Sequence, residues 1–188
     1  MNRASKTYFE DRGSLVKYFS FGKVLDVGCT EKRFDVAGSV GIDTVRSQNV
    51  DFVAAAQSLP FKNETFDTII AGELIEHLVD PYLFVNETKR VLVPKGRLIL
   101  TTPNPTSIHY IIHESFGLKS VSDTLGHKFL WDLKCLRRFL TSCGFRIEAV
   151  GYVNIFHKIV PRILVRFNKR WSWHIFLIAQ KRFVTSRV

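Results

Sequence analysis

Apolar runs of strand length alternate with helix-like patterns between about residue 23 and residue 140. Buried parallel strands give continuous apolar runs, and the helices that connect them repeat with a period of about 3.6 residues. This alternation predicts one doubly wound α/β domain, in which a mostly parallel sheet lies between two layers of helices. Five strands are predicted in this part of the chain, over residues 23–27, 40–43, 50–54, 66–71 and 96–101.

Two helices have clear sequence signals at their ends. Asp80 suits the N-cap position and Pro81 the first helical turn, and the apolar pattern that follows stops before Pro94. A second helix is predicted over residues 132–142, with an aspartate cap at its start and Gly144 just after its end. Both helices carry an apolar face, which predicts packing against the sheet.

The two ends of the chain carry less regular patterns. An N-terminal helix is expected over about residues 1–21, and residues 145–152 and 175–179 predict two last strands that pair antiparallel at the edge of the sheet. Between these strands, residues 156–174 form a basic, aromatic excursion. The whole chain, residues 1–188, is expected to be a single domain whose last strand is antiparallel.

The composition fits a soluble chain with one core. At 188 residues and 21.6 kDa it has the size of one domain, and no apolar run approaches the roughly 20 residues that cross a bilayer. Residues 1–10 lack the apolar segment and cleavage site of a secretory signal, so we expect a cytoplasmic protein. Cys29, Cys135 and Cys143 form no C-x-x-C pair, which argues against a disulfide framework and a cysteine zinc site.

The net charge of +10 favours an anionic partner, whether a nucleic acid, a membrane surface or a phosphorylated substrate. The excursion over residues 156–174 concentrates this charge, because cations and apolar or aromatic residues are interleaved along it. Such a segment suits peripheral binding to an anionic membrane or to a phosphate backbone, and it equally suits a cover helix packed on the sheet. Its cations are Lys158, Arg162, Arg166, Lys169 and Arg170.

Two predicted strands end in an acidic residue. Asp26 and Gly28 close the first strand, and Asp43 closes the second. Ligands of doubly wound sheets bind at the carboxyl ends of the strands, where glycine permits a close backbone approach and a carboxylate accepts hydrogen bonds from a ribose diol. The two acids therefore suggest a nucleoside cofactor.

Six short sequence blocks are spread along most of the chain. They are VLDVGC at residues 24–29, GID at 41–43, SLPF at 58–61, FD at 66–67, EHL at 76–78 and RVLVPKG at 90–96. Their order and spacing resemble the Rossmann-like class I S-adenosylmethionine (SAM) methyltransferases, in particular the broad group of ubiquinone-pathway and sugar-modifying O-methyltransferases. The resemblance implies SAM as the cofactor.

The resemblance also implies which residues contact SAM. They are Asp26, Gly28 and Cys29 for the methionine part, Asp43 for the ribose, Ala56 and Gln57 for the adenine, and Glu73. The chain departs from the family at Thr30 and Lys32, where glycines are usual, and at Ala55, where an aspartate is common. The crossover before the second strand is also too short for a full helix. We therefore expect the loop after the first strand to follow its own course.

Glu73, Glu76 and His77 form an E-x-x-E-H string directly after the fourth predicted strand. We expect this string to open the helix that follows the strand, so that the three side chains share one face. The string resembles the magnesium-binding element of some ubiquinone-pathway and small-RNA 2′-O-methyltransferases, with His127 as a further histidine. The alternative is that the dipole of a helix start favours the acids, and on that basis we expect a divalent metal to be dispensable.

The resemblance implies methyl transfer from SAM to an oxygen of a small molecule, a sugar or a lipid-linked precursor. Catalysis then depends mainly on positioning, with a base needed for a hydroxyl acceptor. Candidate bases are His77 and His127, with His109 and His113 as further histidines. Two alternatives stay open: an RNA 2′-O-methyltransferase, and a non-catalytic methyltransferase-like binding module, which the lost glycines would explain.

Overall fold

The structure, a computed structural model, describes residues 8–31, 33–117, 126–153, 168 and 171–182. Its strands are β1 (Tyr8–Phe9), β2 (Val24–Val27), β3 (Val40–Asp43), β4 (Phe52–Val53), β5 (Phe66–Gly72), β6 (Leu92–Pro103), β7 (Phe145–Val153) and β8 (His174–Lys181). Its helices are α1 (Arg12–Phe19), α2 (Pro81–Val91), α3 (Ile108–Ser115) and α4 (Leu133–Ser142), with a 3-10 turn at Ile75–His77. No helix in these ranges is long and apolar enough to span a membrane.

The strands form one sheet in the order β1-β7-β8-β6-β5-β2-β3-β4. β8 runs antiparallel to both of its neighbours, β6 and β7. The other neighbouring pairs are parallel. The predicted fold, a mostly parallel Rossmann-like sheet with an antiparallel last strand, is confirmed.

Alternate side chains of the strands enter two apolar cores, one on each face of the sheet. On one face α1 packs on the sheet, and its Phe19 ring lies 6.3 Å from the ring of Phe176 in β8. On the other face α2 and α4 bury Phe84 and Leu136. Helices on both faces leave the carboxyl ends of the parallel strands as the place for a ligand.

α2 and α4 begin where their sequence signals predict. The carboxylate of Asp80 accepts hydrogen bonds from the backbone amides of Tyr82 and Leu83 at 2.9 and 3.1 Å, directly before the first helical residue. Asp132 caps α4 in the same way, and Gly144 follows the helix with a φ of 90°. These caps fix the direction in which each helix leaves the carboxyl edge of the sheet.

The two ends of the chain differ from the predictions. Residues 8 and 9 form β1, which pairs with β7, and the N-terminal helix covers only Arg12–Phe19 of the described residues, with Asp11 as its cap. β7 and β8 do pair antiparallel, but β8 lies inside the sheet between β6 and β7. That position explains why the side chains of β8 are almost all buried. Residues 156–167, 169 and 170 of the basic excursion lie outside the described residues.

Candidate active site

The carboxyl ends of β2, β3 and β5 lie side by side, because these strands are parallel neighbours. Gly28 follows β2 with a φ of 82°, a backbone conformation that favours glycine. Its amide donates to the carbonyl of Ile42 at 2.8 Å. A Cβ at Gly28 would lie 3.0 Å from the side chain of Leu74, so the backbone here packs closely on Leu74.

Asp26 lies beneath this loop and is only 1% exposed. Its Oδ2 accepts a hydrogen bond from the backbone amide of Phe34 at 2.9 Å. Burial raises the pKa of Asp26 to about 7, although that hydrogen bond and the charges of Arg33 and Arg12 oppose the rise. Asp26 therefore holds the end of the loop against β2.

Asp43 ends β3 and keeps part of its carboxylate open to solvent. Oδ2 accepts from the amide of Thr30 at 2.9 Å, and Oδ1 accepts from the amide of Thr44 at 2.6 Å. Burial alone would raise the pKa of Asp43, but the hydrogen bonds from Thr30, Thr44 and Val45 outweigh it and lower that pKa. An ionised carboxylate with lone pairs to spare suits a ribose diol.

Thr30 organises the loop that lacks the family's glycines. Its hydroxyl donates to the carbonyl of Val45 at 2.9 Å. Its own carbonyl accepts from Ser47 Oγ at 3.1 Å and from Asn49 Nδ2 at 3.0 Å. Residues 33–39 contain no helix, as the short crossover predicts, and Lys32 lies outside the described residues. The loop is thus held to β3 by side-chain bonds rather than by a helix.

The other residues that the resemblance predicts around the cofactor include Cys29, Ala56 and Gln57. The thiol of Cys29 is buried and donates to the carbonyl of Ile42 at 3.6 Å, and burial raises its pKa to about 11. Ala56 is buried, and the side-chain amide of Gln57 donates to the backbone carbonyl of Asp80 at 3.5 Å. Cys29 and Gln57 thus direct their side chains to the protein, and the backbone amide of Cys29 also donates to the carbonyl of Ile42 at 3.4 Å.

Glu73 is not part of a helix, so the predicted shared helical face is wrong. Its φ is 54°, Ile75–His77 is a single 3-10 turn, and α2 begins only at Pro81. The carboxylate of Glu73 accepts from Thr101 Oγ1 at 3.0 Å and lies 2.8 Å from Nε2 of His174. Arg12 approaches it at 3.6 Å. These partners draw Glu73 towards β6, β8 and α1.

Glu76, His77 and His127 form a separate cluster on the other side of this turn. Their potential ligand atoms lie within 4.8 Å of one another, and the two imidazole rings stand 4.8 Å apart. Oε2 of Glu76 accepts from Thr102 at 3.0 Å, whereas its buried Oε1 and the buried Nδ1 of His127 have no partner among the described residues. Burial and the nearby charge of Glu73 raise the pKa of Glu76 well above its usual value.

The cluster and the predicted ligand set share two residues. The cluster contains Glu76 and His77, adds His127 as the resemblance implies, and leaves Glu73 out. Burial and the neighbouring His77 lower the pKa of His127, which keeps the imidazole neutral. Two imidazoles and a carboxyl group are a donor set that fits a divalent ion.

Two residues of the site have no signal in the sequence. Arg12 lies in α1 and His174 begins β8, far along the chain from Glu73. Only the order of strands in the sheet brings them together, because β8 inserts beside β6. The side chain of His109 is not described, and His113 lies on α3.

Comparisons with known proteins point to one family. Residues 25–100 match a family profile described as a methyltransferase domain. The human mitochondrial ubiquinone biosynthesis O-methyltransferase is 27% identical over 180 residues, which cover 80% of this chain and 46% of the relative. The rat protein of the same name is 30% identical over 181 residues, covering 80% of this chain and 49% of the relative. The chain therefore spans a little under half the length of these relatives.

Solved structures share the fold at low identity. A SAM-dependent methyltransferase from Thermotoga maritima has a TM-score of 0.69 at 19% identity, covering 90% of this chain and 87% of its own. One from Methanosarcina mazei has a TM-score of 0.65 at 18% identity, covering 94% and 100%. The [4+2]-cyclase SpnF has a TM-score of 0.63 at 19% identity, covering 92% and 80%. The fold alone therefore does not fix the reaction.

Proposed function

We propose, since this chain belongs to the class I SAM-dependent methyltransferase family, that it transfers the methyl group of SAM to an oxygen of a small-molecule acceptor. The observation that carries the proposal is the placement of Asp26, Gly28 and Asp43 at the ends of two parallel neighbours, β2 and β3. The backbone at Gly28, which carries no side chain, suits the amino-acid part of SAM, and the ionised carboxylate of Asp43 suits the ribose.

The residues of the site have separate roles in this proposal. Asp43 accepts hydrogen bonds from the ribose hydroxyls. Asp26 holds the loop through the amide of Phe34, so that the backbone at Gly28 and Cys29 faces the methionine part. SAM, when bound, supplies an electrophilic methyl group, and the protein contributes binding, orientation and exclusion of water.

Titration calorimetry with SAM and S-adenosylhomocysteine (SAH) tests the cofactor site. We expect the wild type to bind both in the micromolar range, about −8 kcal/mol. Asp43→Ala should weaken both ligands by about tenfold or more, since a hydrogen bond to a charged group contributes about 1.5–3 kcal/mol. Asp35→Ala is the matched control, because Asp35 is exposed and pairs with Lys17.

Two calorimetric results would contradict the proposal. Undiminished binding by Asp43→Ala would remove the ribose role from Asp43. Absence of any binding by the wild type would favour the non-catalytic binding module.

For the acceptor we propose a hydroxylated aromatic molecule that also carries an anionic or lipid-linked group. The names of the relatives, ubiquinone biosynthesis O-methyltransferases, support an oxygen acceptor of this kind. A cleft of about 590 Å³ beside the end of β6 and the start of α4 also supports it, because cations and aromatic rings line it together. These residues are Lys134, Arg137, Tyr152 and Trp171.

We further propose that the basic excursion adds peripheral affinity for an anionic membrane surface. Five cations on one short segment give an attraction that falls with salt. Charge reversal of Arg162, Arg166 and Arg170 should abolish sedimentation with vesicles that contain anionic phosphatidylglycerol. Binding to RNA in gel shifts, without vesicle binding, would favour a nucleic-acid partner. If the wild type bound neither RNA nor vesicles, the excursion would instead be a segment that covers the sheet.

A second candidate is methylation of one of two adjacent hydroxyls, including the ribose 2′-oxygen of RNA. The cluster of Glu76, His77 and His127 favours it, because its buried unpartnered atoms fit a divalent ion. Such an ion supplies a positive charge that can bind neighbouring oxygens. A catechol that is methylated only with magnesium present would support this candidate over the first.

A further inference from the structure

His174 and Glu73 form a buried pair at the carboxyl edge of the sheet. Nε2 of His174 lies 2.8 Å from Oε2 of Glu73, and His174 is 5% exposed. The second ring nitrogen, Nδ1, is also buried and has no hydrogen-bond partner among the described residues. A buried polar atom without a partner needs an explanation, and a ligand group is one.

The pair lies where the methyl group of the donor is expected. Glu73 directly follows β5, whose neighbour β2 ends in the proposed cofactor loop. His174 is paired with Pro103 at the carboxyl end of β6 and with Val153 at the carboxyl end of β7. The pair therefore extends from the cofactor side of the edge towards the side that is left for an acceptor.

The partners of Glu73 fix its charge and the tautomer of His174. Burial alone would raise the pKa of Glu73, but the charge and hydrogen bond of His174, with Arg12 and Thr101, lower it. The ionised carboxylate can only accept, so the proton of a neutral His174 sits on Nε2. Nδ1 then carries the free lone pair, which is the arrangement of a histidine base oriented by a carboxylate.

We propose that His174 is the general base of the methyl transfer and that Glu73 is its positioning residue; this inference rests on the proposed function. Nδ1 takes the proton from the acceptor hydroxyl as the oxygen forms its bond to the methyl carbon. The carbon–sulfur bond breaks, and its electron pair stays on sulfur. The positive charge lost from sulfur thus appears on the imidazolium, next to the carboxylate of Glu73.

The surrounding charges suit this role. Arg12, from α1, lies 3.6 Å from the carboxylate of Glu73. Its charge also acts on Asp26. Burial and the charge of Glu73 raise the pKa of Glu76, from the 3-10 turn, well above its usual value. His77 and His127 belong instead to their own cluster, where the two rings stand edge to face. His174 is held by the carboxylate of Glu73 at 2.8 Å.

The first test needs no cofactor or acceptor. Nitrogen-15 NMR of the histidine rings in the wild-type protein, with His174→Gln used to assign the signals, reports which ring nitrogen carries the proton. We expect the Nε2–H tautomer near neutral pH, and loss of that preference in Glu73→Gln. A protonated Nδ1 in the neutral ring would overturn the proposal, because that nitrogen would have no lone pair to accept a proton.

The second test measures turnover with SAM and 3,4-dihydroxybenzoate as the acceptor probe, with magnesium present for every variant. His174→Gln keeps an N–H for Glu73 but has no basic nitrogen, so kcat should fall about 100-fold or more. Its affinity for SAH should change less than twofold, which also shows that the variant is folded. Glu73→Gln should lose less, and the wild-type rate should fall at low pH in a way that His174→Gln does not repeat.

Matched controls separate the possible failures. Glu148→Gln makes the same acid-to-amide change in β7, where Glu148 binds Arg97, and should leave kcat unchanged. Full activity of His174→Gln would overturn the base. A wild type that binds SAH but does not methylate the probe would contradict the proposed acceptor class, while the tautomer measurement judges the His174–Glu73 pair separately.

Discussion

The backbone amide of Phe34 donates a 2.9 Å hydrogen bond to Oδ2 of Asp26 and closes the loop that follows β2. The loop has no helix to hold it, so this bond and those of Thr30 define its course. Because Asp26 is buried, the same carboxyl that organises the cofactor loop also affects the stability of the free protein.

We expect Asp26→Asn to stabilise the protein more at about pH 8 than at about pH 5. The pKa of Asp26 is raised from 3.8 to about 7, so the folded state binds a proton that the unfolded state has already lost between these values. Wild-type stability therefore falls as pH rises through this window. The variant has no such group and should gain up to about 4 kcal/mol relative to wild type above pH 7.

Denaturant unfolding at several pH values measures this difference. Asp132→Asn is the control: hydrogen bonds from the amides of Cys135 and Lys134 lower the pKa of Asp132, so its titration ends below about pH 5. Its stability difference from wild type should stay constant between about pH 5 and 8. A constant difference for Asp26→Asn as well would mean that Asp26 is not perturbed by burial.

Thr30→Gly should weaken both folding and SAH binding. The change restores the family's usual glycine but removes the hydroxyl that donates to Val45, and it frees the backbone that donates to Asp43. The expected loss is about 1–2 kcal/mol of unfolding free energy. Thr65→Gly removes a similar hydrogen bond, to the carbonyl of Lys62, and should lower the free energy of unfolding without changing the affinity for SAH. Tighter SAH binding by Thr30→Gly would contradict this role.

The sequence predicts those features that depend on neighbouring residues. Asp80 and Pro81 mark the start of α2 because capping is a property of a few consecutive positions. The end of β2, with Asp26 and Gly28, is predictable for the same reason, since a buried strand followed by glycine is a local pattern. The fold class follows from the alternation of such local elements.

Features that depend on the order of strands are not predictable in this way. The insertion of β8 between β6 and β7 brings His174 to Glu73, which no spacing in the chain indicates. Glu73 takes a left-handed backbone because Thr101 and His174 bind it, and so the expected helix does not start there. Both outcomes arise from tertiary contacts that override local preference.

The last prediction concerns the cluster of Glu76, His77 and His127. The helix-start explanation for the E-x-x-E-H string does not apply, because Glu76 and His77 lie in a 3-10 turn. A cation that binds only the folded state at 100 times its Kd adds about 2.7 kcal/mol. We therefore expect manganese, tested with magnesium and zinc, to raise the melting temperature of the wild type but not of His77→Ala.

Activity in a chelator then separates the two kinds of acceptor. SAH affinity should be the same for wild type and Glu76→Ala, since the side chain of Glu76 accepts its hydrogen bond from Thr102 in β6. A simple phenol should be methylated in chelator, because the base His174 needs no metal to accept a proton. A catechol should lose turnover in chelator and regain it with magnesium, since two adjacent oxygens can bind one ion. Equal thermal shifts in wild type and His77→Ala would instead assign the metal to another site and leave the cluster as a buried polar contact.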